Sequence, residues 1–345
     1  MELKILKDKK ILFISVQTFN YEKAIADKLR SLGAEVDYYD ERPTNSIFVK
    51  GIIRLRRSLY QNTINKYYNR ILAQIVDGNY DYLFVIKGEV IPAFFLEEFR
   101  KRNLKCEFIF YTWDSFNNNP HGQSILKYFD KKFTFDNFDA NTFNLSFRPL
   151  FFIDEYDELN GAKSEVIKQD LLFLGTAHSD RYKISSEAVG WCNENNLKAY
   201  AYYFMPSRLV FIFKSIFDPS FKGFEYRKLS FSSLSILDII ALYKQSSVIL
   251  DVNHPGQKGL TMRTFEALGA GKKLITTNPD IKKYLFYNEK NIFIIDRKNI
   301  VLEKSFFETP FVPINEELRN AMSLTGWLKM LFVETKENYW IANIK

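Results

Sequence analysis

Asp251-Val-Asn-His-Pro-Gly-Gln-Lys-Gly-Leu-Thr-Met-Arg-Thr-Phe-Glu-Ala-Leu-Gly-Ala-Gly-Lys-Lys-Leu-Ile-Thr-Thr277 is the stretch on which the fold turns. It reads as the end of a buried strand, a loop holding Gly256 and Gly259, a helix, a glycine stop and a second strand. Thr261 suits the helix N-cap, which predicts free backbone N–H groups facing the space beyond the strand end. A helix N-terminus placed there can bind phosphate. Arg263, in the first turn, can add a charge-assisted contact to a diphosphate. Glu266, one turn on, has acceptor sites for both hydroxyls of a ribose. The same residues also fit an ordinary amphipathic helix with a surface Arg and Glu, and the pattern alone leaves both readings open.

Outward from this stretch, strands and helices alternate. Lys10-Ile-Leu-Phe-Ile-Ser-Val16 is a nearly continuous apolar run, as expected of a strand buried on both faces. Ile25, Leu29 and Leu32 share a helical face that Gly33 ends, and Ala34–Tyr39 alternates as a strand. Ile64, Tyr68, Ile71 and Ile75 line a further helix closed by Asp77-Gly78; Tyr82–Ile86 and Glu107–Tyr111 read as strands, with Pro92 opening a helix between them. The pattern restarts after Arg148-Pro-Leu-Phe151, with strands at Leu171–Leu174, Val248–Val252, Lys273–Thr277 and Asn291–Ile295. Such alternation predicts an α/β protein with parallel sheets covered on both faces. The expected organisation is one doubly wound domain over 1–150, a second over 151–315, and closing helices over 316–345, where Trp327, Leu328, Leu331 and Phe332 have helical spacing. Phe204–Phe217 is apolar with two basic residues; it fits a packed helix of the second domain or a patch meeting a membrane surface or lipid-linked acceptor.

Composition excludes several classes. The 345 residues exceed what one core usually serves. Apolar and charged fractions of 46% and 26% are those of a globular chain, not a disordered one. The net charge of +7 favours anionic partners, but no nucleic-acid module signature accompanies it. Cys106 and Cys192 stand far apart, and His121, His178 and His254 lack metal-ligand spacing, so neither a disulfide scaffold nor a zinc site is expected. The N-terminus has no secretory apolar core, and no window reaches the ~18 apolar residues of a membrane span, which predicts a cytoplasmic protein. Lys50, Arg54, Arg56, Arg57, Lys66 and Arg70 cluster in sequence; a solvated helix face and attraction to anionic lipid headgroups both explain them.

Glu266-Ala-Leu-Gly-Ala-Gly271, behind its glycine-bearing loop, resembles the donor-binding motif of GT-B glycosyltransferases, in particular the CgeB-like enzymes of bacterial capsule and lipopolysaccharide biosynthesis. Phe173-Leu-Gly-Thr-Ala-His-Ser-Asp-Arg-Tyr182, Phe108–Ser115 and Tyr128–Ala140 resemble other segments of the same group, so the resemblance spans about residues 80 to 300. It implies the GT-B fold: two Rossmann-like domains facing across a cleft, the second holding a nucleotide-activated sugar. The donor residues it implies are Gly175, Thr176, Arg181, His254, Gly259, Leu260, Thr261, Met262, Arg263 and Glu266, with Glu266 on the ribose. His178 fits an acid toward the leaving group or a structural histidine. Asp114, then Glu89, are the candidate bases for the acceptor hydroxyl, each equally readable as a capping or ion-paired residue; Lys87 and Trp113 stand on the acceptor side.

Retaining members of the wider group often carry an acidic residue where this chain has Lys258, and the departure points to inversion. No Asp-x-Asp pair suits a divalent ion, so no metal or other cofactor is expected. The expected reaction moves the sugar to a hydroxyl of a growing surface glycan, free or lipid-linked, with peripheral contact at the inner membrane face and no nucleic-acid partner. A nucleotide-sugar 2-epimerase of the same fold and a non-catalytic nucleotide- or sugar-binding protein are the alternatives.

Overall fold

The computed structural model describes residues 4–46, 49, 51, 53, 56–75, 80–161, 167–177, 180–218, 221, 224–334, 340 and 341. The chain divides into two compact units: residues 1–149 with 324–339, and 150–323 with 340–345. Each is built on a six-stranded sheet whose strand pairs are all parallel.

The first sheet contains β1 (Lys10–Ser15), β2 (Glu35–Asp40), β3 (Tyr82–Ile86), β4 (Glu107–Thr112), β5 (Lys131–Thr134) and β6 (Ser146–Phe147), in the order β2-β1-β3-β4-β5-β6. Its central strands are apolar throughout because both faces are covered. Leu12, Ile14, Leu83, Val85, Phe108 and Phe110 meet Ile64, Tyr68 and Ile71 of helix Gln61–Gln74 and Phe95 and Phe99 of helix Ala93–Arg102. Pro92 is the N-cap of the latter rather than its first residue. On the opposite face, Phe84 (tilted) and Tyr111 (edge-on) pack against Trp327 of helix Leu324–Phe332, with ring centroids 5.8 and 4.7 Å away. The closing segment expected over 316–345 is therefore shared: helix Glu316–Met322 lies in the second unit and Leu324–Phe332 in the first. Asp77-Gly78, expected to close a helix, lies outside the described residues.

The second sheet contains β7 (Gln169–Thr176), β8 (Ala199–Phe204), β9 (Leu229–Ser230), β10 (Ser246–Asp251), β11 (Lys273–Thr276) and β12 (Ile292–Ile294), in the order β12-β11-β10-β7-β8-β9. Counted along this unit that is 3-2-1-4-5-6, the doubly wound order whose chain direction reverses between the first and fourth strands. Here the reversal falls between β7 and β10, where Phe173 and Leu250 lie side by side. Among the described residues, no helix is long and apolar enough to cross a membrane.

One packing contact ties the glycine stop to the core. A Cβ on Gly269, the last residue of helix Met262–Gly269, would stand 2.4 Å from the ring of buried Phe152. Gly269→Ala should accordingly destabilise the second unit by about 1–3 kcal/mol, the usual range for overpacking a tight core. Denaturant unfolding measures it; an unchanged midpoint would show that Phe152 moves aside freely.

Candidate functional site

In the second unit, the loops after β7, β10 and β12 meet at the carboxyl ends of the strands, the side where open α/β sheets bind ligands. Asp251, the last residue of β10, anchors the group. It is buried, and its Oδ2 accepts from the hydroxyls of Thr261 (2.8 Å) and Thr264 (3.4 Å). Burial raises its pKa; those hydroxyls and the charges of Arg263 and Arg181 pull the other way. Thr261 occupies the N-cap of helix Met262–Gly269, as expected, but its side chain does not cap it. The hydroxyl turns inward to Asp251, so no threonine hydroxyl caps the helix's first amides. The capping contact expected from the sequence is replaced by an anchoring one.

Two arginines bridge the reversal between β7 and β10. Arg263 donates from Nη2 to the Leu174 carbonyl of β7 at 3.0 Å and from Nη1 to the Tyr243 hydroxyl at 3.3 Å. Arg181, the first residue of helix Arg181–Glu194, donates from Nε to the Val252 carbonyl at 2.8 Å. Burial lowers the Arg181 pKa, and nearby Arg263 and Arg297 lower it further. Arg297 follows β12: its Nη1 holds both oxygens of Asp180 at 2.7 and 2.9 Å, and its Nη2 reaches the Asn253 carbonyl. It therefore ties the loops after β7 and β10 together.

Glu266 is buried, accepts from Tyr243 Oη at 3.2 Å and stands 3.6 Å from Arg263 Nη1. Three guanidinium groups thus face three carboxylates, Asp180, Asp251 and Glu266. The charges balance within the protein, and the amides at the helix N-terminus add positive potential to a neutral frame.

The other residues expected here divide. Thr176 and Gly175 end β7, half-buried. The missing side chain at Gly175 makes room for the Phe173 ring, 2.6 Å from where its Cβ would stand, so core packing already explains the glycine. Gly259 and Leu260 are buried, which keeps the Leu260 side chain away from solvent, whereas Met262 is half-buried. His254 is exposed, its Nδ1 accepting from Gly256 N at 3.2 Å. His178 lies outside the described residues. Arg297, Asp180, Tyr243 and Asn253 join the group without any expectation from the sequence pattern.

The first unit gathers a separate charged group at the carboxyl ends of β2, β3 and β4. Lys87 Nζ lies 3.4 Å from Glu89 Oε1 and 3.4 Å from Asp114 Oδ2. The far oxygen of Glu89 is held by Arg42 through both Nε and Nη2, so both of its oxygens face cations. Asp114 is more open: Asn118 donates to its Oδ1 at 3.0 Å, and 29% of its side chain is exposed against 10% for Glu89. Trp113 beside it is half-buried. Lys87 has φ +82, a left-handed conformation rare outside glycine, and Gly88 follows at +65. The strain is held by Lys87 N donating to the Tyr111 carbonyl (2.8 Å) and Asn119 Nδ2 donating to the Lys87 carbonyl (2.6 Å).

Glu41, just past β2, lies beneath. Its Oε1 accepts from the amides of Val90 (2.6 Å) and Ile91 (3.2 Å), which fixes the end of the 87–91 loop. Burial, and secondly the charge on Glu89, push its carboxyl up to about 7. Among the described residues, no three His, Cys, Asp or Glu side chains are grouped as a metal would require.

No protein-family profile matches the chain, and no curated protein does. Solved structures do. An alpha-glucosyltransferase in complex with UDP and a 13-mer DNA containing a central A:G mismatch superposes at TM-score 0.55 and 11% identity, over 87% of this chain and 88% of that one. A glycosyltransferase from Rickettsia africae ESF-5 superposes at 0.54 and 15%, over 93% and 96%. A putative UDP-N-acetylglucosamine 2-epimerase from Listeria monocytogenes gives 0.47 and 12%, over 95% and 98%. The first two likenesses establish the fold: α/β, of the GT-B class, with two Rossmann-like domains.

Glu41 yields a pH prediction. A carboxyl whose pKa rises from 4.5 unfolded to about 7 folded holds its proton more tightly in the native state. Its contribution is present in full below pH 4.5 and is lost as pH climbs through 7. Glu41→Gln keeps the acceptor for Val90 and Ile91 without the ionisation, so it should gain up to ~3 kcal/mol over wild type between pH 5 and pH 8. Urea unfolding at the two pH values tests this; a pH-independent difference would place the Glu41 pKa in the ordinary range.

Proposed function

We propose that the chain is a glycosyltransferase that moves a sugar from a nucleoside-diphosphate donor to a hydroxyl of a growing surface glycan, free or lipid-linked. The observation that carries this is the grouping of Arg181, Arg263 and the helix Met262–Gly269 N-terminus at the strand reversal of the second sheet. Strand-end amides beside two guanidinium groups suit a diphosphate, and Glu266 stands one turn along the same helix, where a ribose would follow. A solved structure of the same fold contains UDP, which agrees with this reading.

In the proposed reaction a base takes the acceptor hydroxyl's proton, the oxygen bonds to the anomeric carbon, and the bond to the diphosphate breaks. Asp114 is the proposed base: it is the more exposed carboxylate of its group, with Lys87 Nζ 3.4 Å from its Oδ2. Glu89 is proposed to serve as the fixed point of the Lys87 turn, since Arg42 and Lys87 occupy its oxygens. Charge on the departing diphosphate would be met by arginines and amides, so the proposed mechanism uses no metal.

Two experiments test the reading. In a thermal-shift series against UDP, GDP, ADP, CMP and dTDP, one nucleotide should stabilise the wild type, by ~2.7 kcal/mol at a hundred times its dissociation constant. Glu266→Gln, which retains an acceptor for Tyr243, should abolish most of that shift; if no nucleotide shifts the wild type, the donor site is wrongly placed. With the donor identified, Asp114→Asn should lower kcat about 100-fold or more while leaving the nucleotide shift intact. EDTA should leave the wild-type rate unchanged. Full activity in Asp114→Asn would move the base elsewhere, and turnover of donor without an acceptor would favour an epimerase.

A further inference from the structure

Helix Arg208–Phe217 packs on the second unit by one side only and leaves the other exposed. It is capped by Ser207, whose Oγ accepts from Val210 N at 3.1 Å, and none of its residues is buried. Only Val210 and Phe211 pack against the core of the second unit. Leu209, Ile212, Phe213, Ile216 and Phe217 are 78, 52, 64, 68 and 67% exposed. Their i, i+3, i+4, i+7 spacing places them on one outward face spanning about 140° of the helix. The segment is thus a helix apolar on both sides, with the broader apolar side facing out.

We propose that this face seats the second unit on an anionic lipid bilayer. Charge identifies the occupant. The ten residues include Arg208 and Lys214 and no acid. At 100° per residue the two basic residues fall on opposite flanks of the apolar arc, where their ammonium and guanidinium heads meet lipid phosphates as the arc enters the acyl boundary. Arg208 lies over the ring of Phe231 and Lys214 over that of Phe221, so both stems run along aromatic surface beside the exposed face. A self-complementary protein interface would rather need opposite charges around its rim, and this segment has none of the second sign. The inference stands apart from glycosyl transfer: it concerns where the protein sits, not what it does there.

Vesicle co-sedimentation of the full chain tests it. The wild type should pellet with mixed phosphatidylcholine–phosphatidylglycerol vesicles and stay in solution with phosphatidylcholine alone. The triple change Ile212→Ser, Phe213→Ser, Ile216→Ser should weaken that partitioning at least ~10-fold, as should the pair Arg208→Glu, Lys214→Glu. All five side chains lie outside the core, so unchanged thermal midpoints separate lost binding from lost folding. Wild type that ignores anionic vesicles, or a triple variant that binds as well as wild type, overturns the proposal. So does a wild-type dimer in light scattering that the triple variant dissolves, which would make the face an interface between copies.

Discussion

The second unit is organised by one buried negative charge. A carboxylate cannot sit inside a protein without partners, and Asp251, at the last position of a central strand, finds them in the chain that follows it. Thr261 and Thr264 must stay within hydrogen-bond reach, so the ten residues after β10 have to leave the sheet, turn, and start a helix directly above the strand end. Arg263 is carried across to the Leu174 carbonyl of the neighbouring strand as a result. The open amides, the bridging arginines and the place of Glu266 all descend from that satisfied charge.

The first unit solves a comparable problem differently. Its charged group is not closed by a short loop but assembled from three strand ends: Glu41 and Arg42 after β2, Lys87 and Glu89 after β3, Asp114 after β4. Alternating charges neutralise one another in sequence, Arg42 to Glu89 to Lys87 to Asp114, and only the last of them is appreciably exposed. The innermost carboxylate, Glu41, spends one oxygen on two backbone amides and so sets the path of the loop carrying the others. The left-handed Lys87 persists because tyrosine and asparagine contacts hold its peptide groups from both sides.

Much of this was legible in the residues. The apolar runs Lys10–Val16, Tyr82–Ile86 and Val248–Val252 read as central strands because parallel sheets bury both faces, and they are. The Met262–Gly269 helix read correctly because its signals are local: apolar spacing and a glycine stop. What escaped was long-range or directional. Arg297 meets Asp180 across 117 positions, a pairing that no local spacing announces. Tyr243 reaches Glu266 from another helix. Thr261 had the right residue type for a cap, but a buried acid ten residues earlier outcompeted the helix for its hydroxyl. In Phe204–Phe217, composition gave a helix but could not say which side faces out, since both sides are apolar.

The split of the two closing helices bears on biosynthesis. Phe84 and Tyr111 lie on strands made early, yet the indole that covers them, Trp327, is added more than two hundred residues later. While the second unit emerges, Phe84 and Tyr111 lack that cover. The N-terminal unit therefore cannot mature as an independent product of vectorial synthesis, although domains generally fold in order of appearance. Its completion waits on the synthesis of Leu324–Phe332, and throughout that interval the uncovered Phe84 and Tyr111 rings are the part of the nascent chain that a chaperone would have to guard.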